Sequence, residues 1–167
     1  MKKFLRILLI IVAFLLLAMG LSFLLSGGSH EIVSKVRIKK SPDEVFAYIT
    51  DMRNELKWNP DVQFMEKITE GDIGLGTKFK AKWHLSDTLV VTIEKFEKPK
   101  EVIFVNGGPI EVTLSVVLTP VDSETELEAH FVATPNGFAR VIFPIIKSQM
   151  KKQEGENMIN LKNALEK

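Results

Sequence analysis

The chain of 167 residues suits a single domain, and its 46% hydrophobic and 26% charged side chains are ordinary for a globular protein. Three of its 22 basic residues, Lys2, Lys3 and Arg6, are the only charges before residue 29, so the remaining 139 residues carry 19 basic and 21 acidic side chains. A weakly acidic body argues against a phosphate-tracking nucleic-acid binder, and the absence of cysteine excludes disulfides, thiolate nucleophiles and thiolate metal sites.

Ile7–Leu25 reads as 19 uncharged residues interrupted only by Gly20 and Ser22. As a helix it reaches ~28 Å, close to the ~30 Å hydrocarbon core of a bilayer. The basic start and Ser26-Gly27-Gly28 also fit a cleaved signal peptide, but a cleavable apolar region runs only about 7–15 residues. The expectation is therefore an uncleaved single-pass anchor over residues 1–25. Lys35, Arg37, Lys39 and Lys40 nearly balance the three basic residues before the span. With so short a tail ahead of the span, the expectation is a cytoplasmic N-terminus and an extracytoplasmic body. Residues 26–30 form a linker of at most ~18 Å, and the folded domain occupies 31–167.

Glu31–Lys39 alternates as a first strand. Ser41-Pro42-Asp43-Glu44 then supplies a cap hydroxyl, a proline at the first helical position and a glutamate at the third, which is a capping box. Val45, Phe46, Ile49 and Met52 form the apolar stripe of the helix that follows. A second short helix is predicted over Arg53–Lys57, stopped by Trp58-Asn59-Pro60.

After Asp61 the period changes to two, with strands predicted near 62–69, 76–86, 88–97, 101–106, 110–119 and 124–133. Turn-forming "EGDIGLG", Ser86-Asp87, "EKPK", "NGGP" and "DSE" separate them. Phe79, Ala81, Trp83 and Leu85 share one face, opposite Lys78, Lys80, Lys82 and His84. The sets Leu89, Val91, Ile93, then Val112, Leu114, Val116, Leu118, then Leu127, Ala129, Phe131 repeat this pattern. One-sided strands in succession predict an antiparallel sheet with one wet face. From Pro135 to Glu166 the period is again helical. Phe138, Val141, Ile142 and Ile145 form one stripe, and Ile146, Met150, Met158, Leu161 and Leu165 another. Pro144 between them is expected to kink the helix so that both halves face the core.

"SPDEVFAYITD", "KWNPDV", "GDIGLGTKF" and "GFARVIFPIIKSQM…LKNAL", in this order and spacing, resemble the SRPBCC (START-like) superfamily, in its polyketide cyclase/dehydrase-like branch. The resemblance spans residues 31–167 and implies an α+β helix-grip fold. In such a fold a curved antiparallel sheet of about seven strands grips a long C-terminal helix, with an apolar cavity between them. It implies no single reaction, because the superfamily mixes lipid carriers, hormone receptors, cyclases and oxygenase subunits. The N-terminal span is an addition to that fold. On this reading Trp58, Phe79, Trp83, Leu89 and Val91 are candidates for the cavity wall. Leu114, Val116, Phe131, Val141 and Ile145 complete the set.

Trp58 either plugs the end of the short helices or offers an indole face and one N–H at the cavity mouth. His84 and His130 fall opposite the apolar faces of their strands, and His30 sits in the linker, so no metal site is expected. Glu66 is a candidate general base if Phe64 and Ile68 face inward, and solvated if the register slips by one. Tyr48 and Arg140 are weaker catalytic candidates. "GDIGLG" precedes a strand, not a helix, so it reads as a hairpin turn and not a phosphate loop. Lys147, Lys151 and Lys152 form a solvated face that a tether would bring near anionic headgroups. The shortage of inward catalytic groups points to a membrane-anchored module that binds a lipid or other hydrophobic small molecule, without a cofactor. A cyclase/dehydratase-like enzyme and a tethered protein-interaction domain are the alternatives.

Overall fold

The computed structural model describes residues 2–84 and 86–167. Helix α1 (Lys2–Leu25) has no buried residue and is long and apolar enough to cross a membrane. After it come β1 (His30–Ile38), α2 (Pro42–Thr50) and a 3₁₀ helix (Met52–Lys57). Strands β2 (Val62–Lys67), β3 (Lys78–Trp83), β4 (Leu89–Glu97), β5 (Glu101–Asn106), β6 (Ile110–Val121) and β7 (Glu124–Pro135) precede α3 (Ala139–Leu165). Each expected element is present. The second short helix is 3₁₀ instead of α, and Leu85, expected on the inner face of the third strand, lies outside the described residues.

The seven strands form one antiparallel sheet in the order β1-β7-β6-β5-β4-β3-β2. β1 and β2 therefore lie on opposite edges, and α2 with the 3₁₀ helix carries the chain between them. The capping box fixes where that crossing starts. Ser41 Oγ accepts from the Glu44 backbone N–H, and the Ser41 backbone N–H donates to Glu44 Oε2 at 3.0 Å. Asp51 then caps the 3₁₀ helix by accepting from the Arg53 N–H at 3.2 Å.

Alternation along the strands delivers the core as the sequence predicts. Phe79, Ala81, Val91, Ile93, Val116, Leu118, Leu127 and Ala129 are buried, while Lys78, Lys80 and Lys82 are exposed. Val45 and Phe46 of α2 and Met158, Leu161 and Leu165 of α3 pack into the same cluster. Phe46 meets the Phe96 ring edge-on at 5.0 Å. Two polar clamps close this end of the sheet. The Lys39 N–H donates to Glu166 Oε1 at 2.7 Å, and the fully buried Thr125 Oγ1 donates to the Lys40 carbonyl at 2.7 Å.

The two stripes of α3 do not share a core. The second faces the sheet as expected, but Phe138, Ile142 and Ile145 are 68%, 42% and 77% exposed. The reason is that Ala139 and Phe143, four residues apart, occupy the inward face of the first turns, with Phe143 stacked on His30 at 4.7 Å. The neighbouring Arg140 and Val141 meet α1. Ser22 Oγ donates to the Val141 carbonyl at 2.7 Å, and the Arg140 guanidinium sits over the Phe23 ring at 4.3 Å. The linker is correspondingly shorter than five residues. Buried Ser26 still bonds back to the Ser22 carbonyl at 2.9 Å, and His30 already pairs with Ala133 in the sheet.

Because Phe46 is 1% exposed and packs against Phe96, Phe46→Ala is expected to cost about 3–5 kcal/mol of stability. Thermal and chaotrope unfolding in mild detergent measure it. A loss below ~1 kcal/mol would mean that this end of the core collapses around the gap.

Candidate functional site

The 3₁₀ helix brings residues three apart onto one face, and here those residues are Met52, Glu55 and Trp58. All three line a cavity of about 380 Å³ between the sheet and α3. Trp58 ends the helix: its N–H and that of Asn59 both donate to the Glu55 carbonyl, at 3.1 and 2.8 Å. Asn59 is buried, and its Oδ1 accepts from the Asp61 N–H at 3.1 Å, which holds the exit from the helix in place.

The sheet supplies the apolar wall. Trp83 stands at the end of β3, where its N–H donates to Ser86 Oγ at 3.0 Å and its carbonyl accepts from the Ser86 N–H at 3.2 Å. Leu89 and Val91 of β4, Leu114 and Val116 of β6 and Phe131 of β7 continue that wall. α3 closes the other side with Ile146, Met150, Glu154, Asn157, Met158 and Leu161. The spacing from Met150 through Glu154 and Met158 to Leu161 is that of one helical face.

Of the ten wall candidates, Trp58, Trp83, Leu89, Val91, Leu114, Val116 and Phe131 line this space. Phe79 does not. It is fully buried in the solid core beside the cavity. Val141 and Ile145 do not line it either: Ala139 and Phe143 take the inward face of these turns, Val141 lies beside α1 and Ile145 is exposed.

None of the three catalytic candidates reaches the cavity. Glu66 is exposed and pairs with Lys80 on the outer face, while Met65 is buried. A bulge between Val62 and Phe64 shifts the alternation of β2 by one, so Phe64, Glu66 and Ile68 turn outward. Tyr48 is half-buried in a separate surface groove with Lys40, Glu44 and Asn54, and burial raises its phenol pKa. Arg140 lies against Phe23 and Gly27, at the junction with α1. His84 is exposed just beyond β3. His130, on β7, has its Nδ1 within 2.7 Å of Glu31 Oε1 on the outer face. Three strands separate β3 from β7, so the two histidines do not meet.

The titratable groups that do line the cavity are Glu55, Asp61, Asp87 and Glu154. Burial pushes Glu154 up to about 7. Burial first, and then the nearby Glu154 charge, push Glu55 up to about 7, while the side chains of Trp83 and Asn59 pull it back. Glu55 Oε2 and Asn157 Oδ1 are buried without a hydrogen-bond partner. Both glutamates had a signature in the sequence. Glu154 fills the gap between Met150 and Met158 in the inward stripe, and Glu55 falls midway between Met52 and Trp58 at the 3₁₀ spacing.

Residues 29–166 match the family model described as polyketide cyclase/dehydrase and lipid transport. The chain belongs to that family. Solved structures share its fold at low identity. The protein TTHA0849 from Thermus thermophilus aligns at TM-score 0.67 and 13% identity, over 81% of this chain and 97% of its own. A conserved protein from Geobacillus kaustophilus aligns at 0.63 and 18%, over 81% and 95%. Ara h 8.0201 aligns at 0.61 and 15%, over 83% and 98%. No curated protein matches the chain.

Glu55 carries a pH dependence whose sign follows from its environment. Its pKa is about 7 in the fold against 4.5 for an ordinary glutamate. Between those values the folded chain holds a proton that the unfolded chain has lost, so stability is full at low pH and falls as pH rises to about 7. Glu55→Gln removes the ionisable group. The variant is expected to match the parent near pH 4.5 and to exceed it by roughly 1–3 kcal/mol near pH 8. Thermal unfolding at the two pH values checks this, and a stability difference that does not change with pH would contradict it.

Proposed function

We propose that this protein is a membrane-anchored binding module that holds a lipid or another hydrophobic small molecule between its sheet and α3. The observation that carries the reading is the 380 Å³ cavity walled by Trp58, Trp83, Leu89, Leu114, Val116 and Phe131, within the size range of small-molecule sites. An apolar occupant of this space would gain dispersion contacts along its walls. Membership of a lipid transport and cyclase family supports the same reading. A protein-interaction domain with a collapsed interior has no use for such a space.

The anchor is α1. Its apolar length supports a membrane span, and Phe138, Ile142 and Ile145 form an exposed apolar patch beside its C-terminal end. Lys147, Lys151 and Lys152 follow on α3 within reach of headgroups. The body lies on the extracytoplasmic side in this proposal.

A second reading, proton transfer on the bound molecule, is favoured by one observation: two carboxyls with pKa values near 7 line the cavity. It would appear as a ligand whose mass changes by loss of water on incubation with the parent chain and not with Glu55→Gln.

Native mass spectrometry of the full chain released from mild detergent is expected to show a retained apolar small molecule. Val112→Trp, which adds bulk at the cavity wall, is expected to remove it while leaving the fold intact by circular dichroism. A parent chain that never retains any apolar molecule would sink the binding reading. Sidedness is tested separately. The chain has no cysteine, so Asp72→Cys on an exposed turn gives a single reporter. A membrane-impermeant maleimide is expected to label it in intact cells, and labelling only after lysis would place the body inside.

A further inference from the structure

The charge of the cavity wall limits what its occupant can be. Among the described residues every titratable group lining the cavity is acidic, and no lysine, arginine or histidine reaches it. Glu55 comes from the 3₁₀ helix, Asp61 from the segment before β2, Asp87 from the segment after β3 and Glu154 from α3. The sheet strands contribute no titratable side chain to the wall. Chance placement would mix the signs, because the body carries almost as many bases as acids.

The hydrogen-bond accounting points the same way. Buried Glu55 Oε2 and Asn157 Oδ1 are acceptors without donors, and Asn157 is only 6% exposed on the α3 wall of this cavity. Buried acceptors of this kind cost free energy until a donor meets them. A carboxylate or phosphate ligand would bring more acceptors and like charge, which an acidic wall rejects. An ammonium brings three donors and the opposite charge.

We infer that the occupant is a cationic amphiphile: an aliphatic or aromatic body against the sheet wall, with an amine head met by Glu55 and Glu154. This inference rests on the hydrophobic-ligand reading and names the class of ligand within it. It also gives uptake a pH dependence. Both glutamates must ionise to hold a cation, and with pKa values near 7 they do so as pH rises through neutrality. Binding of the cation in turn draws those values down.

The chain provides its own reporter, since its two tryptophans, Trp58 and Trp83, both line the cavity. The test uses the full chain in phosphatidylcholine nanodiscs and three brominated twelve-carbon probes that quench tryptophan: an amine, an alcohol and a carboxylic acid. At about pH 8.5 the amine is expected to half-quench at a roughly tenfold lower concentration than the alcohol, with the carboxylate weakest. The amine's advantage is expected to shrink below about threefold at about pH 5, and in Glu55→Gln/Glu154→Gln at either pH. The alcohol serves as the uncharged reference for each chain at each pH. A carboxylate or alcohol that quenches the parent chain as well as the amine does would overturn the charge inference and leave the hydrophobic-ligand reading standing. Quenching by none of the three would overturn both. The comparison of head groups on the parent chain needs no variant, so it holds even if the double substitution does not fold.

Discussion

One long helix cannot cover seven strands. Neighbouring strands lie about 4.8 Å apart, so the flat sheet would span roughly 29 Å, against about 10–12 Å for a helix with its side chains. The rest of the architecture answers this mismatch. The sheet curls around α3, and α2 with the 3₁₀ helix fills one end of the trough. There Val45, Phe46 and Met52 meet Phe79, Ile93, Leu127 and Leu161 in a solid core. Beyond that core Ile146, Met150 and Glu154 of α3 face Leu89, Leu114 and Phe131 of the sheet across the cavity. The cavity is the remainder of that geometry, and no single residue makes it.

A remainder can stay purely apolar, and this one does not. Two elements that need not have carried charge inward, the 3₁₀ helix and the middle of α3, place Glu55 and Glu154 on the cavity wall. Leucine or methionine at either position would continue its apolar stripe and spare the cost of enclosing a carboxyl. The raised pKa values express that cost. Stability sacrificed at one spot in an otherwise consistent fold is characteristic of a site kept for function. By contrast, the charges on the outer face form ordinary exposed pairs such as Lys35–Glu128 at 2.9 Å, which are worth little either way.

The sequence made much of this legible because alternation and helical period report burial directly. Lys78 to Trp83 shows inside from outside without a structure, and the capping box at Ser41 marks the start of α2 to the residue. Two features escaped for physical reasons. The bulge in β2 adds one residue that no periodicity announces, and it turns Glu66 outward by reversing the alternation. On α3 the stripe of Phe138, Ile142 and Ile145 is as apolar as a core stripe. Composition alone cannot say that these three side chains stay exposed while the neighbouring Arg140 and Val141 meet α1. Glu154 was readable as the polar member of an inward stripe, but only by asking what fills a gap in a hydrophobic pattern.

The same turns of α3 link α1 to the cavity. Ile145 points away from the body and Ile146, the next residue, lines the cavity. Successive helical residues are about 100° and 1.5 Å apart. In the proposed arrangement, with Phe138, Ile142 and Ile145 against the bilayer, the α3 wall of the cavity therefore begins within one helical turn of the lipid. Only Gly27 to Ser29 separate the buried Ser26 at the end of α1 from β1, which leaves little slack for the body to lift away. A short tether is a poor design for a carrier that must travel between membranes. If α1 spans a membrane as proposed, such a tether suits a site that exchanges its occupant with that bilayer. An amphiphile entering from that side would meet the Ile146 and Met150 wall first and bring its head toward Glu154, one helical turn beyond Met150.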